Sequence, residues 1–257
     1  NIKMKEKYLE ELKKEGIVVI PNYFNKNKCK KVIDQIELFS KTKKVFIERD
    51  EGIGGDIRVF KFEEYSDEAL NFSKDDFIKK IVSKYCDQKL ETKSVLAGKV
   101  LFEKKYQTNS GGDWHRDADV KQMKAMLYLS DVKDENGPFC FIKESKNFDF
   151  KRRDNKYAFL QKIIFKIKGL PLKPPRYENE YIMKQPKTRD KILRVKGNSG
   201  TLVIFDGSYI HRGDVIRSGT RYSLTNYYYP VLKKGFIFFI KSFFKRILNP
   251  NQKFIRE

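Results

Sequence analysis

This 257-residue chain contains only two histidines, and each has neighbours that suit a metal site. His115 is followed two residues later by Asp117, so on an extended backbone their side chains project to the same face. His211 follows a run of strand-forming residues, 200–207, and the fold must bring it in from 96 residues downstream. Two imidazoles and one carboxylate on one face of a metal leave the opposite face open, which is typical of non-haem Fe(II) sites.

Two polar residues downstream of His211 could bind an anion. Arg221 and Ser223 lie at the start of a strand-like segment that continues to residue 229, and being two residues apart they share one face of it. A guanidinium matches a carboxylate through two parallel hydrogen bonds, and a hydroxyl beside it can donate one more. Arg217 is the competing anchor, but it lies in a turn where we expect it to be solvated.

Several segments around these residues resemble one protein family. They are residues 114–117 (Trp-His-Arg-Asp), 124–132, 135–139 and the stretch from 200 through His211 to Arg221. Together they resemble the phytanoyl-CoA dioxygenase-like family of Fe(II)/2-oxoglutarate-dependent oxygenases. The resemblance covers about residues 93–230, with a gap at 149–196. The combination of motifs is specific, whereas either histidine alone is a weak signal.

The resemblance implies a fold, a set of cofactors and roles for individual residues. The implied fold is a double-stranded β-helix, and the implied reaction uses Fe(II), 2-oxoglutarate and O2. By the same resemblance, His115, Asp117 and His211 are the metal ligands at the catalytic centre. Arg221 would bind the co-substrate 2-oxoglutarate, together with Ser223. Halogenating relatives lack the carboxylate ligand, so the presence of Asp117 favours hydroxylation or a related oxidation.

One segment departs from the family pattern. Where such proteins often read Pro-Gly-Ser-His, this chain has Lys143, Glu144, Ser145 and Lys146. We therefore expect the substrate pocket near this segment to differ from that of its relatives.

Length and composition predict one folded domain, 1–257. Hydrophobic residues make up 40% of the chain and aromatic residues 14%, which fits a packed core. A single β-barrel domain of this length is common. Cys29, Cys86 and Cys140 are far apart and odd in number, so we expect reduced thiols, without a disulfide framework or a zinc site. No signal-peptide pattern opens the chain, and we expect a cytoplasmic protein.

Helix patterns come early in the chain and strand patterns come late. The predicted early elements are helices at 4–15, 27–40 and 75–86, a strand at 17–20, and two strands within 46–62. From residue 94 onward strands dominate, separated by turn signals. The expected class is α+β, mainly β: a jelly-roll or cupin-like barrel with flanking N-terminal helices.

The net charge of +21 is unevenly distributed along the chain. Residues 151–196 carry 15 Lys/Arg against 4 Asp/Glu, and residues 231–257 carry 7 against 1. A positive field concentrated in this way attracts anionic partners. The gap at 149–196 is interpreted as a basic insertion near the mouth of the site, where it either contacts substrate or only covers the barrel.

The segment 236–248 in the C-terminal tail combines basic and aromatic residues. It is too short and too interrupted to span a bilayer. Read as a helix, it either lies in a membrane interface, with basic residues opposite Phe and Ile, or packs its apolar face onto the barrel. The first alternative predicts peripheral contact with the inner face of the membrane.

These patterns predict an Fe(II)/2-oxoglutarate-dependent dioxygenase that hydroxylates an anionic small molecule, such as a lipid-linked or lipopolysaccharide sugar acid at a membrane surface. An acyl-CoA hydroxylase of the same family is the alternative within the enzyme class. A basic-surface nucleic-acid binder is a second class, but it leaves the two histidines and Asp117 unexplained, and no nucleic-acid motif accompanies the charge. We therefore expect no nucleic-acid partner. A cupin-like metal-binding protein without oxygenase activity is the third possible class.

Overall fold

Two antiparallel β-sheets form the framework of the computed structural model, which describes residues 2–41, 55–102, 112–118, 121–148 and 176–231. The helices are α1 (Ile2–Glu15), α2 (Lys26–Lys41), α3 (Asp67–Ser73), α4 (Asp76–Cys86), α5 (Asn179–Lys184) and α6 (Pro186–Arg189). The strands are β1 (Ile17–Ile20), β2 (Gly55–Val59), β3 (Leu90–Leu101), β4 (Trp114–His115), β5 (Met123–Tyr128), β6 (Phe139–Ile142), β7 (Arg176–Tyr177), β8 (Ile192–Val195), β9 (Leu202–Asp206), β10 (His211–Gly213) and β11 (Thr220–Pro230). Short 3-10 turns cover Phe62–Glu64 and Ser145–Asn147.

The larger sheet, called sheet one, has six strands in the order β1-β9-β5-β11-β3-β2. Its longest ladder joins β3 to β11 and runs from Leu101 opposite Thr220 to Leu90 opposite Pro230. Side chains of a strand alternate between its two faces. Each strand of sheet one therefore sends one set of side chains towards the helices and the other set towards the second sheet.

The smaller sheet, called sheet two, has five strands in the order β7-β4-β10-β6-β8. Its strands are short: β4 and β7 have two residues each, and β10 has three. The pairing of β10 with β4 sets His211 directly opposite His115. The two sheets form the predicted double-stranded β-helix, and the mainly β fold class with N-terminal helices outside it is confirmed.

Two apolar clusters lie on opposite faces of sheet one. The first packs the N-terminal helices against the sheet and includes Leu12 of α1 and Ile204 of β9. The second lies between the two sheets and includes Phe141 of β6 together with Val203 and Phe205 of β9. The alternation within β9 thus separates a helix-facing core from an inter-sheet core. The residues predicted to bind metal and co-substrate line the inter-sheet side.

Local sequence signals fix the helix ends close to their predicted positions. Gly16 ends α1 because it adopts a left-handed backbone, with φ +76°, and its N–H donates to the Leu12 carbonyl at 2.9 Å. The Asp75 carboxylate caps α4 by accepting a hydrogen bond from the Phe77 N–H at 2.9 Å. Helices α1, α2 and α4 and strand β1 begin and end within two residues of the predicted positions.

Three details of the element prediction are corrected by the structure. The strands predicted within 46–62 extend too far, because β2 ends at Val59 and a 3-10 turn begins at Phe62. Residues 46–54 lie outside the described residues. Helix α3, capped by the Ser66 hydroxyl, is an element that the sequence patterns did not predict. Strand β3 begins at Leu90, four residues before the predicted start of the strand-rich part.

The segment 149–196, expected to be an insertion, contains two strands of sheet two. Strand β8 pairs with β6, with Val195 opposite Phe139, and β7 extends the sheet beside β4. The boundary at residue 196 was therefore wrong, because β8 belongs to the barrel itself. The basic tail 236–248 lies outside the described residues. Within the described ranges, no helix is both long enough and apolar enough to cross a membrane.

Candidate functional site

A cavity of about 310 Å³ opens between the two sheets. Sheet one contributes alternate residues of its strands, as expected for side chains on one face. Sheet two contributes the strands that carry the histidines. The polar and charged side chains that line the cavity include all five residues predicted to bind metal or co-substrate: His115, Asp117, His211, Arg221 and Ser223.

The two histidines meet although 96 residues separate them in sequence. Because β10 pairs with β4, the imidazole rings of His115 and His211 lie with their centroids 4.5 Å apart. One side-chain ligand atom from each histidine and one from Asp117 all lie within 4.8 Å of one another. This is the only such His/Cys/Asp/Glu group found in the part of the chain that the structure describes.

Backbone carbonyls orient both imidazoles in the same way. His115 Nδ1 lies 2.7 Å from the carbonyl oxygen of Asp113, and His211 Nδ1 lies 2.8 Å from that of Tyr209. A carbonyl oxygen only accepts, so each Nδ1 carries the proton and each Nε2 presents a lone pair. Burial and the adjacent His211 lower the pKa of His115 to about 3, which keeps this imidazole neutral near pH 7.

Asp117 completes the group from just beyond the end of β4, not from within the strand. Its backbone N–H donates to the carbonyl of Gly207 at 2.8 Å, which holds the residue beside β9 and β10. Asp117 Oδ2 lies 3.2 Å from His211 Nε2 and receives no hydrogen bond from the described residues. With Nδ1 of His211 donating to the Tyr209 carbonyl, the Nε2 lone pair of a neutral imidazole and Asp117 Oδ2 both face the space that a cation would fill. The donor set therefore fits a metal ion.

Lys124 is a charged residue of the cavity to which the sequence assigned no role. It lies on β5 and is only 8% exposed, and its Nζ is 2.8 Å from Asp117 Oδ1. Burial disfavours the charged form of Lys124, but the surrounding Tyr227 oxygen and Asp117 carboxylate outweigh this and raise its pKa. Burial also opposes ionisation of Asp117, yet the Lys124 ammonium holds the pKa of that carboxyl well below its usual range.

Arg221 and Ser223 lie on the cavity face of β11, as their spacing predicts. Arg221 Nη1 is buried and has no hydrogen-bond partner among the described residues. Ser223 lies opposite Gly98 of β3, and a β-carbon at Gly98 would come within 3.2 Å of the Ser223 hydroxyl oxygen. The glycine thus leaves space in front of the hydroxyl. Arg217, the competing anchor, is exposed in its turn and does not line the cavity.

A cluster behind sheet two links the residues that flank the histidines, and sequence reasoning missed it. Asn179 Oδ1 accepts a hydrogen bond from Trp114 Nε1 at 3.0 Å and another from Arg212 Nη1 at 2.8 Å. The Arg212 guanidinium lies 4.6 Å from the centre of a Trp114 ring. Trp114 precedes one histidine and Arg212 follows the other. Asn179, from α5, therefore bridges the two strands that carry the candidate metal ligands.

The segment that departs from the family pattern supports the site instead of lining it. Ser145 is fully buried, and its hydroxyl accepts the Ile210 N–H at 2.7 Å, one residue before His211. Arg116 donates to the carbonyls of Ser145 and Phe148. Lys146 lies outside the cavity, with its Nζ 3.6 Å from Asp206 Oδ2. Ser145 therefore braces the backbone next to His211, and the expectation that the substrate pocket differs from that of the relatives stays a prediction.

One family model matches most of the chain. It is described as Phytanoyl-CoA dioxygenase (PhyH) and matches residues 12–221. That range includes the two histidines, Asp117 and Arg221. No curated protein matches the chain by sequence.

The fold is similar to that of several solved structures. The epimerase SnoN in complex with Fe3+, alpha ketoglutarate and nogalamycin RO is 12% identical, with a TM-score of 0.66 over 90% of this chain and 85% of that chain. HygX from Streptomyces hygroscopicus with nickel and 2-oxoglutarate bound is 16% identical, with a TM-score of 0.60 over 88% and 87% of the two chains. The carbocyclase SnoK from nogalamycin biosynthesis is 14% identical, with a TM-score of 0.61 over 90% and 89%. At these identities the likeness shows a shared fold.

Proposed function

Because the chain belongs to the phytanoyl-CoA dioxygenase family, we propose that it hydroxylates an anionic small molecule with Fe(II), 2-oxoglutarate and O2. The family and the dioxygenase class predicted from the motifs are confirmed by this membership. The prediction of iron and 2-oxoglutarate as cofactors is confirmed for the family to which the chain belongs. One observation carries the proposal: three metal-ligand atoms and a buried arginine nitrogen without a described partner converge on one cavity.

We assign the metal to sheet two and the co-substrate anchor to sheet one. His115 and His211 would bind Fe(II) through Nε2, and Asp117 would bind it through Oδ2. Three ligands on one face leave three positions open for the small molecules of the reaction. Arg221 would bind the distal carboxylate of 2-oxoglutarate, and Ser223 would donate a further hydrogen bond to it.

The bound cofactors supply the oxidation, and the chain supplies a shaped and partly apolar chamber. When bound, Fe(II), 2-oxoglutarate and O2 place one oxygen atom in a substrate C–H bond and the other in succinate, with release of CO2. Phe139 and Phe205 flank His211, with ring centroids 5.6 Å and 5.2 Å from the imidazole. Tyr128 fixes this wall, since its hydroxyl accepts the Phe139 N–H at 3.0 Å and donates to the Val195 carbonyl at 2.9 Å. The wall keeps water from that side of the metal ligands.

The charges that line the cavity favour an anionic substrate. Among the described residues, four cationic side chains and two carboxylates line it: Arg58, Lys124, Arg176 and Arg221, with Asp56 and Asp117. The charges of a divalent metal and of the 2-oxoglutarate dianion cancel, so the cavity keeps a surplus of positive charge that can attract the substrate. Arg58 and Arg176 come from opposite sheets. Arg58 lies 3.8 Å from Asp56, and Arg176 lies 4.0 Å from Asp113 while its backbone pairs with that of His115. They are the proposed substrate anchors.

Substrate charge can be tested by coupled turnover. Succinate formation is measured with a panel of small carboxylates and phosphates, each paired with its uncharged ester. We expect anions to stimulate succinate formation, and the variants Arg58→Ala and Arg176→Ala to lower kcat/KM for the anion roughly tenfold, corresponding to about 1.4 kcal/mol. The exposed Arg217→Ala is the matched control and should change nothing. Equal turnover of the uncharged partners would contradict an anionic substrate.

Two narrower substrates fall within this proposal. A lipid-linked or lipopolysaccharide sugar acid would present a carboxylate at a membrane surface, and an acyl-CoA would present phosphates to the basic residues. The first depends on the tail 236–248 as a membrane contact, and that tail lies outside the described residues. Co-sedimentation with anionic vesicles, compared for the full chain and a chain ending at residue 231, tests it. Equal sedimentation of the two would contradict the membrane contact and favour a dissolved substrate.

A further inference from the structure

Lys124 is a buried cation within β5, whose other residues are apolar or aromatic. Its neighbours along β5, Met123 and Ala125, are fully buried and belong to the helix-facing core. On the cavity side its ammonium lies 2.8 Å from Asp117 Oδ1 and 4.7 Å from the centre of the Tyr227 ring. A buried charge is costly unless it is paired and hydrogen-bonded. The contact with Asp117 is therefore the feature that accounts for this lysine.

The two oxygens of Asp117 have different surroundings. Oδ1 contacts the ammonium of Lys124 at 2.8 Å. Oδ2 faces His211 Nε2 at 3.2 Å and has no hydrogen-bond donor among the described residues. It also lies so close to the backbone of Gly207 that a β-carbon there would collide with it. The carboxylate is thus held from both ends, with one oxygen paired and the other turned towards the imidazole.

We propose that Lys124 is a positioning residue that occupies Oδ1 of Asp117 and so restricts the carboxylate to one metal bond, through Oδ2. A carboxylate free of this contact can bind a metal through both oxygens. The second oxygen would then fill a coordination position that the co-substrates need. The ammonium also offsets the charge of Asp117, so the bound metal keeps more of its attraction for the 2-oxoglutarate dianion.

This inference rests on the proposed iron site, and one experiment separates the two. Mn(II) replaces Fe(II) in the full chain, and its exchangeable water molecules are counted from the broadening of its EPR signal in isotope-enriched water. The variants are Lys124→Met, which removes the ammonium, and Lys124→Arg, which retains a cation. Lys146→Met is the matched control, because Lys146 contacts the buried Asp206 away from the cavity.

The wild type, Lys124→Arg and Lys146→Met should each hold about three exchangeable waters, the number of positions that a two-His-one-carboxylate site leaves open. Lys124→Met should hold about two, because Asp117 binds through both oxygens. An unchanged water count in Lys124→Met, with weaker 2-oxoglutarate or substrate binding, would overturn the inference and make Lys124 an anion anchor. Failure of the wild type to bind Mn(II) would instead contradict the iron site.

A second measurement applies if Lys124→Met does not fold. In a crystal structure of the metal-loaded wild type, Asp117 should bind through Oδ2 alone, with the Lys124 ammonium on Oδ1. An Asp117 that binds through both oxygens, or a Lys124 side chain turned towards an anion in the cavity, would overturn the inference.

Discussion

The two sheets contribute different halves of the site and hold them by different means. Sheet one carries Arg221 and Ser223 on β11, an 11-residue strand that pairs along its length with β3. Sheet two carries His115 and His211 on strands of only two and three residues. A long ladder fixes the position of a residue through many backbone hydrogen bonds. A two-residue strand has few, so contacts outside the ladder must supply the rest.

Those contacts lie behind and beside the histidines. Asn179 ties Trp114 to Arg212, and the Ser145 hydroxyl holds the backbone just before His211. We infer that the metal half of the site is sensitive to substitutions that never touch the cavity. The co-substrate half should depend mainly on its own anchor, because the backbone of β11 stays in place without it.

The largest effect is expected from His211→Ala. Removing one of the two proposed imidazole ligands should weaken metal binding by more than the roughly 10- to 100-fold that is typical for residues that only orient a ligand. Isothermal titration with Mn(II) under matched conditions measures the change. Far-ultraviolet circular dichroism of the metal-free variant serves as the control for folding. A wild-type affinity for Mn(II) in this variant would show that His211 of sheet two does not bind the metal.

Arg221→Ala should affect the other half alone. It removes the proposed charged partner of the distal 2-oxoglutarate carboxylate, and we expect a cost of roughly 2–5 kcal/mol in 2-oxoglutarate binding. Metal affinity should be unchanged, which sharpens the contrast with His211→Ala. The 2-oxoglutarate affinity of Arg221→Lys should fall between that of the wild type and that of Arg221→Ala, because an ammonium keeps the charge but loses the two-pronged geometry. Arg217→Ala is the control. A loss of 2-oxoglutarate binding in that variant would show that Arg217, and not Arg221, anchors the co-substrate.

Asn179→Ala tests the support of the short strands directly. It breaks both hydrogen bonds that link Trp114 to Arg212, and we expect metal affinity to fall roughly tenfold. The exposed neighbour Glu180, replaced by alanine, is the control on the same helix. A lower melting temperature with unchanged metal affinity would show that Asn179 serves the fold only.

The smallest effect is expected at Glu37 of α2, which contacts Lys99 of β3 and the Tyr222 hydroxyl of β11 and so attaches α2 to sheet one. Burial raises the pKa of Glu37, but Lys99 and the Tyr222 hydroxyl outweigh it, and the net pKa is lowered. A carboxyl with a lowered folded pKa stabilises the protein above its unfolded pKa of about 4.3, and this contribution is lost as pH falls through the folded value. Glu37→Gln should therefore lower stability by about 0.5–1 kcal/mol at pH 7.

Thermal unfolding at neutral and acidic pH checks this last expectation. The difference between Glu37→Gln and the wild type should be a few degrees near neutral pH and should shrink in acid. The exposed Asp34→Asn on the same helix is the control. A difference that grows in acid would have the wrong sign for a carboxyl with a lowered pKa.

The residues of the site differ in how far sequence alone could place them. His115 and Asp117 are close in sequence, so their spacing predicts one site. Arg221 and Ser223 share a strand face, and alternation predicts that they point together. Lys124 could have been found as a lysine in an otherwise apolar strand, since a charge at such a position needs a partner.

Other features depend on contacts between distant segments. Asn179 bonds across 65 and 33 residues, and nothing in its own neighbourhood marks it. Strand β8 is four residues long and follows a basic segment, so its pairing with β6 was not visible and it was assigned to an insertion. The pairing of β10 with β4 follows from the family pattern, not from local propensity. Short strands held by long-range contacts are the hardest to predict.

An anaerobic titration of Fe(II) and 2-oxoglutarate tests most directly whether the two sheets build one site. The wild type should develop a weak visible charge-transfer band only when both are present. At the same concentrations, His115→Ala should lose the band through lost metal, and Arg221→Ala should lose it through weakened co-substrate binding. No band in folded wild-type protein, or a band that persists in Arg221→Ala, would contradict a metal on sheet two facing a co-substrate anchored on sheet one.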